Sequence, residues 1–218
     1  MICLVTDRRR LSTADDSLDR LVDLVAAAAR AGIDLIQIRE RDLDARRMTA
    51  LVNRCVEVTR GTATNVVVND RADVAIASGA AGVHLRSDSL TAAAVRSLVG
   101  NGAVIGRSVH GADEARSVSS TGAADYLIFG TMYASASKSA AHPVATLSEL
   151  AAASRVGIPV LAIGGITVAR AAETARAGAA GVAGIGMFVP PEGTSADHHL
   201  QTITGELRQA FDTYKVVS

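Results

Sequence analysis

The segment GAAGVHLRSDSLTAAAVRSLVGNGAVIGRSVHGADEARSVSSTGAADYLIFG (79–130) holds three short apolar runs separated by two longer and more polar ones. GVHL (82–85), VIGRS (104–108) and YLIF (126–129) have the length and composition of buried strands, and glycine-containing turns precede them. Between them, 91–99 and 112–121 read as helices. Strand, helix and strand in that order imply parallel neighbours joined by a crossover.

The same alternation runs to both ends of the chain. Upstream, ICLVT (2–6), LIQI (35–38) and NVVV (65–68) read as strands, followed by helical segments over 17–31, 44–59 and 72–78. The first helix sets Leu18, Leu21, Val22 and Val25 on one face, and Gly32 stops it. Downstream, VLAI (160–163) and GVAG (181–184) are strands, with helices over 146–153, 168–177 and 197–214. Turns such as AGID (31–34), TGAADY (121–126) and RAGAAGV (176–182) carry a helix back into the next strand. An open, doubly wound sheet also satisfies this alternation. Eight regular units without a linker, low-complexity tract or Pro-rich break favour closure, so the expected fold is an α/β (β/α)8 TIM barrel, one domain over 1–218.

The length agrees, since such barrels commonly run to about 200–250 residues. Apolar residues make up 49% of the chain, aromatics only 3%, and tryptophan is absent, so a core of Ala, Val, Leu and Ile is expected. Twenty-two basic and 22 acidic residues cancel, which argues against a general nucleic-acid binder, a class with a basic excess. Cys3 and Cys55 lack the spacing of a metal or redox pair and read as buried thiols. The N-terminal MICLVTDRRR is apolar and then basic, the reverse of a secretory leader. No apolar run approaches the ~20 residues of a membrane span. A cytoplasmic protein without membrane partners is expected, with homo-oligomer formation left open.

In a β/α barrel the reacting groups lie at the C-terminal ends of the strands and in the loops that follow. That rule gathers Thr6, Asp7 and Arg8 with Gln37, Arg39 and Arg41, then Asn69, Asp70 and Arg71. It adds His84, Arg86 and Asp88, then Arg107, Ser108 and His110, and finally Ser135, Ser137 and Lys138. Gly164 and Gly165 end the seventh strand, and Gly184 and Gly186 flank the end of the eighth. Backbone N–H groups at such glycines can approach a phosphate closely; the same glycines would also serve as tight turns. Arg39, Arg41 and Lys138 are candidates to face an anion, and Arg forks suit pyrophosphate. Asp70 is a candidate metal ligand, since Mg2+ takes one or two carboxylates beside phosphate oxygens and water. A rim of surface ion pairs would use the same residue types. His110 is a candidate acid or base, His84 reads as structural, and His142, His198 and His199 read as solvent-exposed.

LVTDR (4–8), QIRER (37–41), NDRADVA (69–75), GVHL (82–85), IGRSVH (105–110), ADYLIFG (124–130), SASK (135–138) and AIGGI (162–166) follow one another in a recognisable order. On these stretches the chain resembles the thiamine-phosphate synthase and thiazole tautomerase superfamily, from Leu4 to about Phe188. AIGGI alone is a weak signal, and eight motifs in order are a strong one. The resemblance implies a transferase of thiamine biosynthesis that joins hydroxymethylpyrimidine pyrophosphate to thiazole phosphate. Pyrophosphate leaves through a pyrimidine carbocation, with Mg2+ and cationic side chains stabilising it. The resemblance puts Gln37, Arg39, Asn69 and Lys138 at the pyrophosphate, Asp70 on Mg2+, and Ser108 near the reacting groups. It puts Ser135 and Ser137 around the thiazole phosphate and the pyrophosphate, and Gly165, Ile185 and Gly186 in the thiazole phosphate loops.

Several positions depart from the synthase pattern. Arg41 stands where QxREK has its lysine, keeping charge and changing geometry. After GVHL the synthases carry GQxD, whose acidic residue binds Mg2+. Here the stretch is RSDS (86–89), with Ser89 at that place and Asp88 one position earlier. Asp88 is therefore expected to supply the metal contact by a small loop shift. Ser135 and Ser137 replace threonines, and Thr131 replaces the proline of FGP. IGRSVH and QIRER also resemble the tautomerase branch, which isomerises a thiazole carboxylate phosphate and has a catalytic histidine where this chain has Thr131. Three readings stand. The synthase comes first, because Arg39, Asn69, Asp70 and Lys138 are all kept. A tautomerase is second, and a non-catalytic barrel that binds thiamine phosphate is third.

Overall fold

The computed structural model describes residues 1–134 and 143–215. Strands β1 (Ile2–Val5), β2 (Leu35–Ile38), β3 (Asn65–Asn69) and β4 (Gly82–Leu85) are followed by β5 (Val104–Val109), β6 (Tyr126–Phe129), β7 (Val160–Ile163) and β8 (Gly181–Gly184). They pair in sequence order, all parallel, and β8 returns to β1 with Ala183 beside Cys3. Closure excludes the open-sheet alternative.

Around the barrel lie α1 (Ser17–Arg30), α2 (Ala45–Thr59), α3 (Ala72–Ser78), α4 (Ala92–Val99), α5 (Ala112–Ser120), α6 (Leu147–Ala153), α7 (Val168–Arg176) and α8 (Ala196–Lys215). Three of them begin one residue later than the apolar spacing predicts, because the preceding residue is a cap. The Asp44 carboxylate accepts from Arg47 N at 2.8 Å, and the Thr91 hydroxyl from Ala94 N at 3.2 Å. Thr146 forms a reciprocal capping box with Glu149.

Alternate strand residues take opposite faces. Ile2, Leu4, Ile36, Ile38, Val66 and Val68 point outward into the helical layer. Cys3, Val5, Leu35, Val67, Leu161 and Ala183 fill the interior. Aliphatic side chains dominate both layers, as expected, and Phe129 and Phe188 join the outer one. The interior also holds the large ring of Tyr126. Gly106 makes room for it, since a Cβ there would overlap the Tyr126 ring and stand 2.5 Å from His84 Nδ1.

At the opposite end from the strand C-termini, two carboxylates complete the barrel's hydrogen bonding. Asp34 accepts from Ile2 N and Asp125 from Ile105 N, each at 2.7 Å. Cys3 and Cys55 are both free and buried, and burial pushes each thiol up to about 12, so both stay protonated. Among the described residues no helix is long and apolar enough to cross a membrane.

Candidate active site

The last inward-facing residues of the strands form the floor of a cavity of about 460 Å3 at the C-terminal mouth. On one side the floor is polar, from Gln37, Asn69, His84 and Ser108 of β2 to β5. On the other it is apolar, from Val5, Ile128 and Ile163, with Ile185 just past β8. Arg39, Arg41 and Arg86 stand around it with Ser87, Asp88 and His110. A two-faced floor under a cationic rim suits a flat heterocycle carrying a phosphate chain.

Arg39 is half-buried, and its guanidinium has no hydrogen-bond partner among the described residues. Burial, and then the neighbouring charge of Arg41, pull its pKa down against the opposing influence of Asp7 and Glu40. A half-buried guanidinium with no hydrogen-bond partner among the described residues is a seat for an anion. Its placement rests on a buried carboxylate. Thr6 Oγ1 donates to Glu40 Oε1 at 2.7 Å and accepts from Arg39 N at 2.9 Å. Glu40, 3% exposed, also takes Arg8 Nη1 at 2.9 Å, and Arg8 pairs onward with Asp42. This network ties the end of β1 to the end of β2 and holds Arg39 and Arg41 at the mouth. Sequence reasoning passed over Glu40; the signal was an acid between two arginines in QIRER, opposite Arg8 in LVTDR.

His84 is fully buried, in keeping with its structural reading, yet it also reaches the cavity. Its Nε2 lies 2.9 Å from Ser108 Oγ and its Nδ1 3.1 Å from Tyr126 Oη. Burial, and secondarily Arg107, push His84 down to about 3, so the ring is neutral. Burial raises Tyr126 well above the usual phenol range, so it keeps its proton. Tyr126 has no other acceptor among the described residues, and it donates to His84 Nδ1. The ring then carries its proton on Nε2 and donates to Ser108, whose own O–H is left to donate into the cavity.

The β4–α4 loop is built around Arg86. Its Nε lies 2.8 Å from Asp88 Oδ1, its Nη2 pairs with Asp88 Oδ2, and its Nη1 lies 3.8 Å from Asp70 Oδ2. Asp70 leaves β3 at φ 61°, a conformation Asp tolerates better than most residues, and its N–H donates to His84 O at 2.9 Å. Ser89, where the synthases have an acid, donates its hydroxyl to Asp70. Arg107, gathered with the rim by sequence, turns instead to the loop backbone. Its Nη2 donates to Ser87 O at 2.8 Å and its Nη1 to Leu90 O. Among the described residues no three His, Cys, Asp or Glu side chains gather into a metal cage.

His110 Nδ1 donates to Gly130 O at 2.6 Å, which leaves Nε2 as an acceptor at the cavity wall, 3.3 Å from Ser87 Oγ. His198 is exposed as expected, whereas His199 is half-buried and donates to Met187 O at 2.9 Å. Gly164 and Gly165 have φ of 100° and 62°, and side chains there would run into Thr131, Tyr133 and Ala134. Met132 N and Tyr133 N donate to Ile163 O and Gly164 O at 2.9 and 3.0 Å. That packing by itself requires glycine at both positions. Gly186 opens a short 3-10 turn with Arg10 beside it. Ser135, Ser137, Lys138 and His142 lie outside the described residues.

Comparison with known proteins agrees with this geometry. The family model described as thiamine monophosphate synthase matches residues 2–188. The thiamine-phosphate synthase of Roseiflexus castenholzii is 40% identical over 190 residues, covering 87% of this chain and 81% of that protein. That of Haloarcula marismortui is 41% identical over 165 residues, covering 74% and 78%. Among solved structures, thiamine phosphate pyrophosphorylase from Pyrococcus furiosus superposes with a TM-score of 0.80 at 28% identity, covering 98% of this chain and 96% of that one.

Proposed function

The chain belongs to the thiamine monophosphate synthase family, and from that premise we propose that it joins hydroxymethylpyrimidine pyrophosphate to thiazole phosphate, forming thiamine phosphate and releasing pyrophosphate. The observation that carries this reading is Arg39, half-buried without an acceptor among the described residues, in a cavity that Arg41 and Arg86 also line.

The thiazole nitrogen lone pair forms the new bond to the pyrimidine methylene carbon. The carbon–oxygen bond to pyrophosphate breaks, and no proton need move for the step to balance. Negative charge collects on the leaving group, where Arg39, Arg41 and Asn69, with Lys138 from the stretch of chain between β6 and α6, stabilise it. The apolar wall of Val5, Ile128, Ile163 and Ile185 keeps water from the cationic carbon. Gln37 and the Ser108 hydroxyl orient the pyrimidine. Ser135, Ser137, Gly164, Gly165 and Gly186, with the backbone of Ile185, hold the thiazole phosphate.

Asp70, Asp88 and Ser89 offer only oxygen donors, and a guanidinium already lies against both carboxylates. That donor chemistry fits Mg2+, which binds one or two carboxylates beside phosphate oxygens and water. Asp70 and Asp88 would hold it, and it would neutralise charge on the departing pyrophosphate. The charge of both substrates supports a cytoplasmic place of action.

A second reading, thiazole tautomerase, has one observation in its favour, the Nε2 of His110 at the cavity wall, an acceptor shared only with the Ser87 hydroxyl among the described residues. One assay separates the readings. Purified protein receives both synthase substrates, with and without Mg2+, and thiamine phosphate is followed. Metal-dependent product is expected. No product, with isomerisation of a thiazole carboxylate phosphate, moves the chain to the tautomerase branch. Inertness in both leaves a binding protein.

A further inference from the structure

Among the described residues, Arg86 is the one cavity-lining guanidinium with carboxylate partners. Arg39 and Arg41 have none among the described residues, whereas Arg86 meets Asp88 through two nitrogens and lies 3.8 Å from Asp70. Its backbone is fixed, because Arg86 N donates to Ser89 Oγ at 3.0 Å and Arg107 holds the carbonyls of Ser87 and Leu90. Its side chain is 42% exposed, and among the described residues only those two acids hold it. It is also close enough to Arg39 to help lower that group's pKa.

We propose that Arg86 is a pyrophosphate-binding residue held in reserve by the two carboxylates that bind the metal. The inference rests on the pyrophosphate reading of this cavity and deepens it. In the free protein the charge of Arg86 is spent on Asp70 and Asp88. A divalent cation on those acids cancels their hold and repels the guanidinium, whose nearest remaining place is beside Arg39, where the anion sits. A guanidinium fork matches two phosphate oxygens there. Metal and anion thus bind cooperatively, since each removes a competitor of the other, and the coupling is reciprocal.

The roles predict shifts of opposite sign, which a merely structural residue would not produce. Mn2+ binding is read by electron paramagnetic resonance without pyrophosphate, and inorganic pyrophosphate binding by calorimetry with and without Mn2+. In Arg86→Ala, Mn2+ alone should bind more tightly by several-fold, because the acids are freed. Pyrophosphate in saturating Mn2+ should bind about tenfold more weakly or worse, the loss of a charge-assisted hydrogen bond. Asp88→Asn provides the complement, with weaker Mn2+ binding and tighter metal-free pyrophosphate binding as Arg86 is released. Mn2+ affinity unchanged or lowered in Arg86→Ala overturns the proposal, as does pyrophosphate affinity unchanged in both variants. If Arg86→Ala fails to fold, Asp88→Asn decides alone. Turnover by the wild type is judged separately. A wild type that makes no thiamine phosphate but shows these opposed shifts keeps the role of Arg86 and loses the synthase reaction.

Discussion

Tyr126→Phe removes one oxygen atom from the barrel interior, and its consequences can be followed outward to the cavity. The ring is 1% exposed, so the substitution keeps the packing and deletes only the 3.1 Å hydrogen bond to His84 Nδ1. A buried ring nitrogen is left without a partner, which costs about 1–3 kcal/mol. The urea midpoint should fall accordingly with an unchanged m-value. Turnover should suffer as well. With no donor at Nδ1, the imidazole loses its preference for the Nε2 proton, and in the other tautomer Nε2 accepts from Ser108. The Ser108 hydroxyl then stops donating into the cavity, and losing one such bond, about 1 kcal/mol, lowers kcat/KM roughly fivefold. Nitrogen chemical shifts of the His84 ring read the tautomer directly and should place the wild-type proton on Nε2. A wild-type proton on Nδ1, or a destabilised variant with undiminished kcat/KM, would refute the relay.

Acid should weaken the fold through the same histidine. His84 is held at about 3 in the folded state against 6.5 when free, so its contribution is whole above pH 6.5 and is lost as pH falls from 6.5 toward 3. The loss is on the order of 1 kcal/mol per pH unit in that window, and His84→Gln should flatten the slope of urea stability against pH. Gly106→Ala drives a methyl group into Tyr126 and His84 and should cost about 1–3 kcal/mol or more, so an unchanged Tm would discredit the packing argument. Arg107→Met frees the carbonyls of Ser87 and Leu90 and should raise KM for the pyrimidine pyrophosphate more than it lowers kcat. The reverse pattern would put Arg107 in the chemistry. Lys138→Ala should lower turnover far more than it weakens thiazole phosphate binding, and equal losses would remove its leaving-group role.

Local pattern carried much of this molecule. β4, β6, β7, β8 and α3 have the bounds that their apolar runs and glycine turns predict. The predicted starts of α2, α4 and α6 fell one residue early because Asp44, Thr91 and Thr146 have extended backbones while their side chains bond into the helix. The rule of strand ends chose Gln37, Arg39, Arg41, Asn69, Asp88 and Ser108, the family resemblance added Ile185, and all of them line one cavity. It also gathered Arg107, which turns to a neighbouring loop, and it passed over Glu40, which is buried beneath the rim. Residue type and position along a strand are local properties. The direction in which a long side chain finds its partner is not.

Periodicity is written in residues two to four apart, so the amino-acid sequence by itself determined the alternation of elements, and the order of its motifs along the chain gave the family resemblance. Distances within the site were decided by closure of β8 onto β1 and by contacts between distant loops, such as Thr6 on Glu40 across 34 residues and Ser89 on Asp70 across 19. Those pairings depend on barrel shear and on side-chain rotamers chosen by packing. For that reason the Tyr126–His84–Ser108 chain and the arginine between two carboxylates belong to the tertiary structure alone.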